Sequence, residues 1–444
     1  MSAIALLMGL LLLSYVGSLI IGGRTARGLP SGVEFIGLGF AVGPHALGLV
    51  ERSMIHEFEP IVQVALGWLA FVVGLDFGRA GGRRVRAKPM ALGVFCALLT
   101  GGTVAFTVNR MLTFFPIQGI DANGGLLLAA GAGAVTAETT RFVVQWVAVR
   151  WNVQGPVSNL LIEIAAADDL APLVAAGAIF AFAPSTTGSL EMNAGAWFLL
   201  SLSLGGLLGT VTALLLRGAE GYAVWGALIG TLLLGVGTAT RFGLCTIFVT
   251  FVMGIALAGV SPHRRALRRM VSPTERAVLY PMLLLAGAHL DARPLIEDRM
   301  LVALLALVLM ARIVGKLLSG FVLRAAVPAA RPAGPLFGIV LLSSGPVSVS
   351  CGFVFALRFP GRIGDTLLVC AAASAVLGEL VSTYALKNLL TQLGEATTAT
   401  VDAAAAPASA PSSSAMSVPP SAPDMHDTTS SIPPAPRSDP EAFS

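Results

Sequence analysis

Two adjacent aspartates inside an apolar run carry the sharpest chemical signal in the chain. Asp168 and Asp169 lie in EIAAADDLAPLVAAG, among residues that are almost all aliphatic. Neighbouring side chains on a helix point about 100° apart, so these carboxylates cannot share a proton face to face as a protease dyad does. The spacing suits two carboxylates with separate partners in one polar cavity. A carboxyl taken out of water favours its neutral form, so it can hold a proton and release it when a cation arrives. The bland alternative is a helix end in a water-filled vestibule, and two acids at mid-depth weigh against it. Lys316, central in LMARIVGKLLSG, is the natural counter-charge, since an Asp–Lys pair in the interior would neutralise both groups. A lysine snorkelling to the surface is the competing reading. Arg312 lies one turn earlier on the same face and can balance Glu163 or Glu379 as a structural ion pair. Glu138 and Arg141 complete the set of ionisable groups inside apolar runs, while Glu34 and Asp76 fall at run ends and are expected at the interface.

The elements that must hold these groups are membrane helices. Of 444 residues, 55% are hydrophobic and only 12% charged, with a net charge of +4. That leaves too little polar surface to cover a soluble protein of this size. A spanning helix needs about 20 apolar residues. Thirteen runs qualify, at 3–22, 33–50, 60–77, 90–109, 124–147, 157–183, 194–216, 222–238, 242–260, 276–291, 300–323, 334–357 and 365–390. The fold class expected is therefore an all-α polytopic membrane protein with about 13 transmembrane helices. Arg24 and Arg27 follow the first run, which places the N-terminus outside. The two largest basic clusters, Arg79 to Lys88 and Arg264 to Arg276, then fall on the cytoplasmic side. Three domains are expected: an extra N-terminal helix (1–30), a transmembrane domain (31–392) and a cytoplasmic tail (393–444) rich in Ala, Pro and Ser, too polar to fold. The four cysteines read as small hydrophobes, and no cofactor or resident metal is expected. The basic residues sit in short loops and argue for membrane topology rather than nucleic acid.

Two runs look broken. AAGAGAVTAETTRFVV has a Gly/Ala stretch before Thr136, and in VLLSSGPVSVSCGFVF the residues Ser343, Ser344, Gly345 and Pro346 interrupt the span. Unwound backbone at membrane depth is tolerated only where it is buried in protein or lines a cavity, and half-helix ends there supply partial charges. Two such segments in distant parts of the chain suit inverted repeats whose discontinuous helices cross at the midplane.

These motifs together resemble the monovalent cation:proton antiporters of the sodium/hydrogen exchanger superfamily over residues 30–390. GLGFAVGPHALGL, FEPIVQVALGWLAFVVGLDFGRAGGRRVR, AAADDLAPLV, FVMGIALAGVSPHRRALRR, LLLAGAHLDARPL and ARIVGKLLSG follow in that family's order. The resemblance implies two six-helix inverted repeats, a dimerisation domain and a mobile core containing the crossed broken helices. It implies that Asp169 is the essential cation and proton site, that Asp168 exchanges a salt bridge with Lys316, and that Thr136 lends an oxygen to the ion. An acid at position 168 with the lysine goes, in that family, with electrogenic exchange. Thr136-Ala137-Glu138 departs from the family's first break. Glu138 and Arg141 either form an (i, i+3) pair that holds the half-helix or alter selectivity. Arg312 and Ser344 are further accessory candidates. The expected function is secondary active exchange of a monovalent cation (Na+ first, then K+ or Li+) for H+ by a homodimer in membrane lipid, located in a bacterial inner membrane. An organic-anion carrier on the same fold and a non-transporting membrane regulator are the alternatives. Nothing supports an enzyme: there is no Ser/His pair and no His-Glu-x-x-His motif.

Overall fold

The computed structural model describes residues 30–396, apart from 51–56, 78, 81–82, 85, 118, 184–191, 219–220, 263, 292 and 294–297, together with Gly9, Leu12 and Val16. The expected first helix and nearly all of the expected tail lie outside the described residues. The fold is helical. In chain order it comprises α1 (Glu34–Val42), α2 (Glu59–Asp76), α3 (Ala87–Phe114), α4 (Ala122–Thr136), α5 (Arg141–Arg150), α6 (Pro156–Ala165), α7 (Leu170–Phe182) and α8 (Ala194–Leu215). Then follow α9 (Tyr222–Arg241), α10 (Thr246–Val260), α11 (Arg264–His289), α12 (Arg299–Ala326), α13 (Pro346–Arg358) and α14 (Arg362–Gln392). Two 3-10 segments, Pro328–Ala333 and Pro335–Leu342, precede α13. A two-residue antiparallel ribbon, Arg79–Ala80 with Arg83–Arg84, is the β structure among the described residues.

Among the described residues, seven helical spans are long and apolar enough to cross a membrane, and the protein is a multi-pass integral membrane protein. A further pair, Pro335–Leu342 with α13, is bent by 56° and makes an eighth span if taken as one. Of the other five expected runs, 3–22 lies almost wholly outside the described residues, 33–50, 124–147 and 242–260 form helices or half-helices of fewer than 18 residues, and 276–291 is the apolar half of a longer, partly polar helix. α1 covers only nine residues of the expected run 33–50, since Gly43 and Pro44 end it. α11 begins twelve residues before the expected 276–291, and its first half carries the basic cluster that sequence reading assigned to a loop. An arginine-rich helical face is invisible to a search for apolar runs.

Both expected breaks are present. The first run stops at Thr136 and resumes at Arg141, and the second is interrupted at Ser343–Gly345. A third interruption falls where sequence reading placed continuous helix. Ala166–Asp169 form turns between α6 and α7, with i→i+3 contacts from Leu170 N to Ala167 O (3.4 Å) and Ala171 N to Asp168 O (3.2 Å). The acid pair thus lies on a loosened turn, not on regular helix. Glycine sets the tightest helix approaches. A Cβ on Gly74 of α2 would strike Phe251 O of α10, and one on Gly254 would strike Phe71 O in return. Such small-residue contacts let membrane helices close without large side chains. The largest apolar cluster gathers α1, α2, α4, α7, α10, α11, α13 and α14 around the breaks.

Candidate functional site

The two broken segments meet at their gaps. Thr140 N donates to Ser343 O at 3.2 Å, and a Cβ on Gly345 would collide with Thr140, so only glycine lets the segments approach this closely. Each gap leaves helix-end groups unpaired, and charged side chains meet them. At the C-terminal end of α4, Lys316 Nζ donates to Ala137 O (2.7 Å) and to Thr139 Oγ1 (2.8 Å). Arg312 Nη2 donates to Glu138 O (3.2 Å), and its Nη1 donates to Ser374 O (2.9 Å). At the N-terminal end of α13, the Ser348 N–H donates to Glu138 Oε2. Cations thus sit at the carbonyl end and an anion at the amide end, as helix dipoles require.

The acid pair abuts this crossing. Asp168 Oδ2 accepts the Thr139 N–H at 2.8 Å, while its Oδ1 is buried without a hydrogen-bond partner. The expected Asp168–Lys316 salt bridge is absent: no ion pair within 4.0 Å joins them among the described residues. Thr139 stands between them, giving its N–H to the acid and its hydroxyl oxygen to the ammonium. Asp169 is 4% exposed and makes no hydrogen bond among the described residues. It faces a cavity with about 30 Å³ open to the centre of a water-sized sphere. Glu138, Thr140, Arg141 and Ser350 share its wall, closed on the far side by α2 and by Glu275 of α11. Such a space holds one or two waters or a small ion.

Several expected partnerships are replaced. Glu138 and Arg141 do not pair with each other; the chain between them is unwound, and each takes other partners. Arg141 Nη2 donates to Glu275 Oε1 (3.0 Å), and its Nη1 lies 3.5 Å from Asp76 Oδ2. Asp76, at the end of α2, is 6% exposed and also meets Arg268. Arg312 balances neither Glu163 nor Glu379. Glu163 lies 3.6 Å from Arg86, and Glu379 accepts the Ser31 N–H. Thr136 turns its hydroxyl back to Ala132 O (2.7 Å) and does not line the cavity. Ser344 donates to Ser348 Oγ (2.7 Å), also outside the cavity wall. All four cysteines are buried and free.

Sequence reading missed Thr139, Ser348, Ser350 and Glu275. Glu275 was hidden by the loop assignment of the basic cluster; a helical reading of 264–289 places it one turn before Leu279, and both line the cavity. The others are backbone donors or hydroxyls, common in any helix break.

No family model and no curated protein matches the sequence. The structure is similar to that of the sodium proton antiporter MjNhaP1 from Methanocaldococcus jannaschii at pH 8. The TM-score is 0.65 and the identity 14%, over 88% of this chain and 98% of that one. A 3D EM map of the same antiporter gives a TM-score of 0.61 at 17% identity, over 89% and 98%. At such identity the likeness is one of fold, and it spans almost the whole of that protein. The chain has the fold of a sodium proton antiporter.

Proposed function

We propose that the protein exchanges a monovalent cation for protons, with Asp169 as the shared site. The observation that carries this reading is a buried carboxylate free of protein hydrogen bonds, facing a cavity of ion size. A proton or a cation can neutralise that carboxylate, but not both together, and mutual exclusion couples the two fluxes. The cavity is too small for an organic anion, which disfavours that alternative. Na+ is the first candidate substrate. Asp168 supplies a second proton position at its unpartnered Oδ1, so the exchange moves net charge. The cavity lies between α2, α10 and α11 on one side and the crossing on the other, and relative movement of these two walls opens it to alternate faces of a cell membrane. The active unit is a homodimer.

The test is proton flux in vesicles containing the purified protein, titrated with Na+, K+ and Li+. Asp169→Ala is expected to abolish cation-driven flux, and retained activity would overturn the assignment. Imposing a membrane potential is expected to change the exchange rate; indifference to it removes the electrogenic reading.

A further inference from the structure

A second pair of acids, one fully and one partly buried, lies apart from the crossing. Glu379 sits near the middle of α14 with 0% of its surface exposed. Its Oε1 accepts the Ser31 backbone N–H at 2.9 Å, and its Oε2 is buried with no hydrogen-bond partner. Ser31 is 1% exposed, and its hydroxyl is likewise without a partner. Glu34, at the start of α1, adds a third unpartnered buried oxygen, Oε2, and lies close enough to act electrostatically on Glu379.

The immediate surroundings provide no counter-charge among the described residues. Among the described residues, no Lys, Arg or His nitrogen lies within 4.0 Å of either carboxylate. Tyr280 of α11 stacks on Phe35 and lies near enough to both Glu34 and Arg276 to feel their charges. Arg312 of α12 is committed to the carbonyls of Ser374 and Glu138. On α5, Arg141 is held by Glu275 and Asp76, and Arg150 lies over Trp146. Arg358 of α13 donates to Ala183 O, and neither α4 nor Pro335–Leu342 carries a charge. An ionised carboxylate with one N–H donor and no cation is costly in such a place, and the group takes up a proton instead. The resulting O–H needs an acceptor: the Ser31 hydroxyl lies beside Glu379 with no other partner, and Glu34 Oε2 is a second unpartnered acceptor nearby.

We propose that Glu379, with Ser31 and Glu34, forms a second reversible proton-binding site at the junction of α1 and α14, separate from the Asp169 cavity. The hydrogen bond from Ser31 ties the segment entering α1 to α14, while α1 packs against α11, and α14 packs against α4 and α13. Displacement of α1 along α14 therefore removes the donor from Glu379 and opens the proton to water.

Infrared spectroscopy of the full-length protein in lipid tests this without reference to transport. A protonated-carboxyl band is expected that shifts in D2O, weakens as pH rises, survives in Asp168→Asn/Asp169→Asn and disappears in Glu379→Gln. A band unchanged in Glu379→Gln, one absent from the Asp168/Asp169 variant, or one that never titrates overturns the proposal. If Glu379→Gln does not fold, Glu379→Asp and Ser31→Ala are each expected to move the band, and indifference to both overturns it equally. In vesicles, Glu379→Gln is expected to displace the pH profile of exchange while leaving the half-saturating cation concentration unchanged. Absence of cation-driven flux in the unaltered protein would count against the transport reading and leave the infrared result standing.

Discussion

The two breaks at the centre of the molecule are built differently. The first, Ala137–Thr140, carries a charged residue and turns its carbonyls toward Lys316 and Arg312. The second, Ser343–Gly345, has no charge of its own, and the Ser348 amide beyond it takes the carboxylate of Glu138. The first break therefore depends on long side chains reaching in from α12, while the second depends on small residues that permit close approach. A helix C-terminus exposes acceptors and needs donors, which Lys and Arg supply from a distance. A helix N-terminus exposes N–H groups, which one carboxylate satisfies. Because Glu138 belongs to the first break and binds the second, the two are one electrostatic unit.

Substitutions that separate these contributions sharpen the contrast. The largest effect is expected at the cavity beside the crossing, where Asp169→Asn should eliminate cation-driven proton flux while the thermal transition of the purified protein stays in place. Next comes Lys316→Met, which strands Ala137 O in the interior and leaves Thr139 Oγ1 with its Leu341 O contact alone. It should cost about 2–4 kcal/mol of stability, read by denaturation in detergent. Gly345→Ala forces a methyl group against Thr140 and should cost about 1–3 kcal/mol, with loss of the crossing geometry. Ser344→Ala removes one hydroxyl contact and should cost only about 0.5–1.5 kcal/mol. If Ser344→Ala proved as damaging as Lys316→Met, the second break would depend on its hydroxyl contacts as heavily as the first depends on charge.

Much of this was visible in the residue order. The glycines before Thr136 and the Ser-Ser-Gly-Pro stretch pointed to both breaks, since glycine and serine weaken helix relative to alanine and Pro346 removes an N–H; the first run is itself helical and the break follows it. Asp168, Asp169 and Lys316 stood out because the bilayer tolerates so few charges. The pairings were not visible. An (i, i+3) pair of Glu138 and Arg141, one of the two readings of these residues, needs a helical turn between them, and the chain there is unwound. Asp168 and Lys316 were matched by charge, yet Thr139 separates them. α11 escaped because its first half is polar.

By itself the order of amino acids determined a polytopic helical protein with charges at mid-span and two weakened helices, because composition and hydropathy act locally and every segment meets the same apolar solvent. Only the tertiary structure decided which charge meets which dipole. Partners such as Lys316 and Ala137 are 179 residues apart, and their contact depends on how helices cross. No local pattern records that crossing, since hydrophobic burial is non-directional and is satisfied by many packings.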